Sequence, residues 1–268
     1  MIPTETINKL AITFDSLNDF CSQLTEEQWH LPTQLPRWNV KDNLSHIIGT
    51  ERVLYGLPET EHKSNDLSDT HNPIGEMNEH HVDFRRPRTG AEVYAEFKDL
   101  AEKRIAQLRS EGEEYFAQSA MTPTGPGTIA DFLHIRVLDI WTHEQDMRRT
   151  VGMPGHRGGP AAEHTIDRLI RTVPIVVGKR AGTPEGGTVV IEITGSVQRT
   201  VATTITEGRG QVSNVAPANA LCTITMDSDV FLQLATGRAT DAELVGQFTI
   251  SGDSELATKV VSQFSMMI

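Results

Sequence analysis

The chain has 268 residues, a hydrophobic share of 38%, and 36 acidic against 24 basic side chains, for a formal net charge of -12. That length suits one large domain or two small ones with a sizeable core. An acidic chain repels phosphate backbones and anionic lipid surfaces, so small molecules are the expected partners, with no nucleic acid and no membrane.

The first residues, MIPTETINKLAITFDSL, lack the basic, apolar and cleavable parts of a signal peptide, and no apolar run reaches bilayer length. A cytoplasmic protein is expected. Cys21 and Cys222 stand far apart and outside any CxxC pair, which gives no support to a disulfide framework or a thiolate zinc site.

From Thr4 to about Met121 the apolar residues recur at helical spacing. Ile7, Leu10, Phe14, Leu17, Phe20 and Leu24 form the stripe of a first helix, with an irregularity near Ile12. Asn39 or Asp42 can cap a second helix, NVKDNLSHIIGTERVLYG, ending near Gly56 and Pro58. The long polar stretch 57–90 is expected to be a lid or substrate loop, and its basic run FRRPR a solvated loop. A third helix follows with Val93, Phe97, Leu100, Ile105 and Leu108 inward. After the turn TPTGPG a fourth runs from about Thr128 to Val151. Four such helices can close a bundle.

The pattern changes after GMPGHRGGP, so the domains are expected to be 1–155 and 156–268. One more helix, AAEHTIDRLIRTVPIVVGKRAG, precedes the strand-like segments GTVVIEITG, RTVATTITEG, LCTITMD and QFTISGD. Gly195-Ser196 and Gly208-Arg209-Gly210 read as hairpin turns, and SDVFLQLATG and ELATKVVSQFSMM as helices. The fold class is α+β, a helical bundle followed by a smaller α+β domain.

The fourth helix holds RVLDIWTHEQDMRR. Asp139 and His143 are one turn apart on one face, with Arg136 and Asp146 on or near it. A divalent ion such as zinc accepts imidazole and carboxylate together, and a catalytic site commonly uses three protein ligands. His46, mid-helix among Leu44, Ile47 and Ile48, is the best candidate for the third. The plainer reading of an isolated Asp/His pair is a surface hydrogen bond or ion pair. HEQDM does not complete an HExxH helix, because Met147 takes the second His position; Glu144 is then a solvent-facing or supporting carboxylate.

These residues carry a family likeness. LPRWNVKDNLSHIIGTERVL, with Trp38, Val40, Asp42 and His46, resembles the W-x-V-x-D-x-x-x-H entry of the mycothiol-dependent maleylpyruvate isomerase family, within the DinB-like metal-binding four-helix bundles. Arg136, Asp139 and His143 take the places of that family's later helix, although its acidic ligand is commonly Glu. CTITMDSDVFLQLATGRATDAELVGQFTISGDSELATKVV resembles the sterol-carrier-like domain that accompanies many of these bundles.

The resemblance implies a divalent metal, zinc by preference, on His46, Asp139 and His143, and mycothiol as thiol cosubstrate. It also implies an isomerase or S-transferase acting on a small electrophile. A metal-held thiol becomes a nucleophile without any cysteine of the protein. Arg238, in ATGRAT, is the candidate catalytic residue that orients a substrate carboxylate if the second domain folds over the bundle mouth; an exposed turn arginine is the plainer reading. His71, His80 and His81 can reach the metal or stay solvated. Trp29, Trp38 and Trp141 read as packing residues. Asp146 either supports a ligand imidazole or pairs with Arg149. The competing function is a non-catalytic carrier or sensor, with an apolar ligand in the second domain and a structural metal in the first.

Overall fold

The computed structural model describes residues 1–58 and 60–265 and separates into two units, Met1–His156 and Arg157–Ile268. In the first unit the elements are α1 (Thr4–Cys21), α2 (Glu26–Trp29), α3 (Val40–Leu54), α4 (Pro73–Arg85), α5 (Gly90–Ser110), α6 (Glu113–Phe116), strands β1 (Ser119–Thr122) and β2 (Gly125–Thr128), and α7 (Ile129–Val151). Four starts are capping boxes: Thr25 with Gln28, Asn39 with Asp42, Thr89 with Glu92, and Thr128 with Asp131. Each satisfies backbone N–H groups that a helix start leaves without partners. Gly152, at φ 70°, ends α7 in the left-handed region that glycine adopts at little cost.

The long helices close a ring: α1 packs on α5 and α7, and α3 packs on the same two. Leu10, Leu17, Leu44, Ile47, Phe97, Leu108, Val137 and Ile140 fill its centre, and Phe14 meets Phe97 edge to face at 5.8 Å. Ile12, the irregular position in the α1 stripe, is exposed.

Segment 57–90 is not all loop. Asn72 caps α4, Pro73 opens it, and the helix packs on α3. Its inner face is largely polar: Glu79, His81 and Arg85 are buried beside Val82. Hydrophobic periodicity could not reveal a helix whose burial rests on charge pairs. Arg85, in the run expected to be solvated, instead grips both oxygens of Glu96 at 3.0 and 2.7 Å, and Arg86 reaches Glu79 at 2.6 Å. Glu59, within the same segment, lies outside the described residues. A second difference is at TPTGPG, where the expected turn joins β1 and β2 as an antiparallel hairpin leading into α7.

The second unit contains α8 (Pro160–Ile170), α9 (Val173–Ile175), a π-helical turn (Val176–Arg180), β3 (Thr188–Thr194), β4 (Arg199–Thr206), β5 (Arg209–Ser213), β6 (Cys222–Asp227), α10 (Ser228–Ala235), β7 (Phe248–Gly252) and α11 (Ser254–Ser262). The sheet order is β5-β4-β3-β6-β7; β3 and β6 run parallel and the other pairs antiparallel. The single helix expected over 161–182 is interrupted after Ile170, just before Pro174, which has no N–H to continue the ladder. The turn expected at 208–210 falls at Glu207-Gly208, with φ of 54° and 70°, so Arg209 and Gly210 already belong to β5. Of the last expected helix, Met266 and Met267 lie outside the described residues. Among the described residues no helix is long and apolar enough to cross a membrane.

Gly49 is what lets α4 lie so close to α3. A Cβ there would stand 2.5 Å from both Cβ and Cγ of His81, closer than packed atoms allow. Gly49→Ala should therefore cost about 1–3 kcal/mol in chemical denaturation. Gly112→Ala, where nothing lies within 4 Å of the added carbon, should stay within about 0.5 kcal/mol of wild type.

Candidate metal centre

Helix periodicity places Asp139 and His143 on the same face of α7, and α3 presents His46 to it. His46 Nε2 lies 3.1 Å from Asp139 Oδ2, and His143 Nε2 lies 3.7 Å from Asp139 Oδ1. One ligand atom from each of the three residues falls within 4.8 Å of the other two. Both histidines are buried, whereas the Asp139 side chain keeps 20% of its surface exposed. The cluster therefore sits in the bundle core with one side reachable.

The surrounding groups set the charge and tautomer of each side chain. Arg136 donates through Nη1 to Asp139 Oδ2 and through Nε to Glu51 Oε1, both at 2.7 Å. Glu51 also accepts from Arg104 Nε at 3.2 Å, and Arg104 donates onward to Gln107 and Tyr115. Burial alone would raise the Asp139 carboxyl, but Arg136, His46 and His143 outweigh it and hold the group well below the usual carboxylate range. Burial keeps the His46 imidazole below its ordinary value, against the pull of Asp139. A carboxylate beside neutral imidazole is the state a cation needs.

Asn43 fixes the orientation of His143. Its Nδ2 donates to Asn39 O at 2.9 Å and Thr33 Oγ1 at 3.2 Å, so its Oδ1 is the acceptor facing His143 Nδ1 at 2.8 Å. His143 therefore carries its proton on Nδ1 and leaves the Nε2 lone pair toward Asp139. Asp146 Oδ2 is farther from that nitrogen, at 3.5 Å, and its Oδ1 lies 3.6 Å from Arg149, so Asn43 is the nearer support of the imidazole.

Trp38, read from sequence as packing, stands beside the cluster: its ring centroid is 5.3 Å from His46 and 6.0 Å from His143, and its Nε1 donates to Glu79. Trp29 and Trp141 are buried packing residues, and Trp141 Nε1 also donates to His156 O. Glu144 is not solvent-facing. It is fully buried between Ser16, Arg148 and His156, at 2.6, 2.7 and 2.9 Å.

None of His71, His80 and His81 joins the cluster. His80 accepts from the Ser64 N–H, His71 is exposed ahead of α4, and His81 is buried against Gly49. Burial and then Arg85 pull the His81 imidazole down to about 4. Arg238 lies in the second unit, in the turn after α10, where it donates to Thr236 O. Both cysteines are buried, and burial pushes Cys222 up to about 11 and Cys21 well above its ordinary value. Neither thiol is poised as a thiolate.

Two imidazole nitrogens and one carboxylate oxygen, brought from facing helices with tautomer and charge already set, fit a borderline divalent ion with coordination to spare. Sequence reasoning missed Asn43, Glu51 and the place of Trp38. Asn43 and Glu51 had a usable signal, since both are polar residues on the helix that carries His46.

Residues 10–148 match the family model described as the mycothiol maleylpyruvate isomerase N-terminal domain, and residues 178–265 match the SCP-2 sterol transfer family. No curated protein matches the chain in sequence. Among solved structures, a mycothiol-dependent maleylpyruvate isomerase matches with a TM-score of 0.59, at 13% identity, over 94% of this chain and 93% of that one. A histidine-to-alanine mutant of such an isomerase matches with a TM-score of 0.58 at the same identity and coverage. The sterol carrier protein 2 like 2 of Aedes aegypti is 20% identical and covers 36% of this chain and 93% of its own, with a TM-score of 0.30. The first two likenesses speak to the fold, a helical N-terminal domain followed by a smaller α+β domain with a mixed sheet. With more than half of its length under the first model, the chain belongs to the mycothiol maleylpyruvate isomerase N-terminal domain family and carries a sterol-carrier-like domain toward its C-terminus.

Proposed function

We propose that this protein is a metal- and mycothiol-dependent isomerase or S-transferase that directs the thiol onto a small electrophile. The observation that carries this reading is the convergence of His46, Asp139 and His143 from two facing helices, in a chain of this family. The two histidines through Nε2, and Asp139 through its carboxylate, would hold the ion. A divalent ion such as zinc supplies a Lewis-acidic position at which a thiol loses its proton near neutral pH.

The chain's own residues prepare that step. Arg136 keeps Asp139 ionised, Asn43 keeps the His143 lone pair available, and Trp38 packs beside both imidazole rings. The buried Cys21 and Cys222 offer no competing thiolate. Two outcomes share the attack of sulfur on carbon. In isomerisation, sulfur adds to a C=C bond and the thiol proton goes to the electrophile. The resulting single bond rotates, and elimination returns that proton with the intact thiol. In transfer the C–S bond persists and the thiol is consumed. Arg238 is assigned the substrate carboxylate, because a guanidinium fork matches that group bidentately.

A second reading draws on the SCP-2 sterol transfer match over 178–265: the C-terminal unit carries an apolar ligand and the metal of the bundle is structural. Lipid retained in native mass spectrometry, together with metal-loaded protein that leaves every tested thiol unreacted, would favour it.

Elemental analysis of protein purified without chelator should find close to one divalent ion per chain in wild type, and almost none in folded His46→Ala. Asn43→Ala, which frees the His143 ring, should weaken metal binding about 10–100-fold. Wild type that stays metal-free after reconstitution, or an undiminished metal content in His46→Ala, would overturn the site. Metal-loaded wild type should accelerate mycothiol addition to an electron-poor alkene, and recovery of free thiol after turnover would identify isomerisation. Arg238→Lys should raise KM for a carboxylate-bearing electrophile about tenfold at unchanged metal content, since a point charge replaces a bidentate fork.

A further inference from the structure

Beside the metal centre, the segment 30–39 folds into a closed loop around an open depression of about 290 Å³, lined by Thr33, Gln34, Trp38 and Asn39 among others. The volume is at the small end of ligand sites, about 300 Å³ upward. The loop is built rather than loose. Pro32 and Asn39 bridge its ends, Thr33 donates to Trp38 O through both its N–H and its hydroxyl, and Val40 N–H donates to Leu31 O at 3.1 Å. Arg37 holds a left-handed backbone, φ 63°, with its guanidinium on Ser68 at 2.9 Å and Asp66 at 2.8 Å.

Three ties put this depression in register with the candidate ligands. Trp38 is a wall of both, 5.3 Å from the His46 ring and 6.0 Å from the His143 ring. Asn43 bonds Thr33 of the loop through Nδ2 and His143 through Oδ1. Gln34 accepts from Arg149 Nη1 at 2.8 Å, on the same helix as Asp139 and His143. A molecule whose reactive end reached the metal would therefore find the depression one indole away.

We infer that the loop 30–39 is the binding subsite for the non-reacting, polyhydroxylated body of the thiol cosubstrate, with Trp38 as its stacking platform; this rests on the thiol-dependent reading above. The lining has the chemistry that a sugar-like ring needs. The C–H faces of such a ring are apolar and pack against the electron-rich indole face. Hydroxyls at the ring edge need donors and acceptors, which amide side chains such as Gln34 supply in pairs. The acidic chain disfavours a phosphate-bearing body, and Arg37, the guanidinium in the lining, is already committed to Ser68, Asp66 and Asp69.

The test separates the body from the sulfur. Thiol-free glucosaminyl-inositol, titrated into the full chain and followed by calorimetry, should bind wild type. Trp38→Leu should weaken that binding at least tenfold, and Trp38→Phe, which keeps an aromatic face, less than threefold. In turnover, the ratio of kcat/KM for mycothiol to kcat/KM for N-acetylcysteine should fall about tenfold in Trp38→Leu. If Trp38→Leu does not fold, Gln34→Ala, at an exposed side chain, should lower both readouts in the same direction. Absence of pseudodisaccharide binding at millimolar concentration in wild type, or equal losses with both thiols, overturns the subsite. Metal-free, inactive protein that still binds the pseudodisaccharide through Trp38 would sink the catalytic reading while leaving the subsite standing.

Discussion

One buried carboxylate organises the bundle. Glu51 of α3 accepts from Arg104 of α5 and Arg136 of α7, so a single side chain links three of the four long helices through charge. All three residues are almost wholly buried. Arginines in such a place are tolerated only with a carboxylate in contact, because desolvating an unpaired guanidinium costs far more than most single interactions return. The constraint also acts locally. With Nε held by Glu51, Arg136 presents Nη1 to Asp139, and that contact keeps Asp139 anionic in a setting where burial by itself would favour the acid. The charge of the candidate ligand thus depends on a residue one helix away.

The same separation recurs on the other faces of α7. Asp139 and His143 look toward α3, while Glu144, one residue on, is buried against Ser16 of α1 and holds Arg148 and His156. Each residue advances about 100° around the helix axis, so neighbouring acidic residues in HEQD serve different interfaces. Glu144 anchors the end of the bundle, whereas Asp139 stands at a reachable centre.

What was legible in the sequence follows from which forces leave a periodic trace. The four long helices have apolar stripes, three of them also have capping residues, and His46, Asp139 and His143 could be brought together from a four-residue spacing and a mid-helix position. Helix α4 left little trace because its buried face is Glu79, His81 and Arg85, with Glu79 bonded to Trp38 and Arg85 to Glu96. Glu51 and Asn43 looked like ordinary helix polars for the same reason: their partners lie on α5 and α7, or in the loop before α3. In the second unit the strands with buried alternation were readable. Strand β5 was not, since it is an edge strand with mostly exposed residues, recognisable only through its pairing with β4.

Asn43 shows why ligation and recognition in this bundle are not independent. Its two amide ends are committed in opposite directions, one to the imidazole of His143 and the other to Thr33 and the Asn39 backbone. The Asn39 side chain in turn caps α3, the helix that carries His46. Moving the loop 30–39 would therefore disturb the cap of one ligand helix and the orientation of the ligand on the other. Conversely, a His143 ring rotated away from Asp139 would release Asn43 from the geometry that fixes Thr33. A small site gains precision from such shared supports, because each ligand's rotamer is restrained by groups that are themselves restrained. It also loses freedom: the wall formed by Trp38 and the ligand set can change only together, so a different cosubstrate cannot be accommodated by remodelling the loop alone.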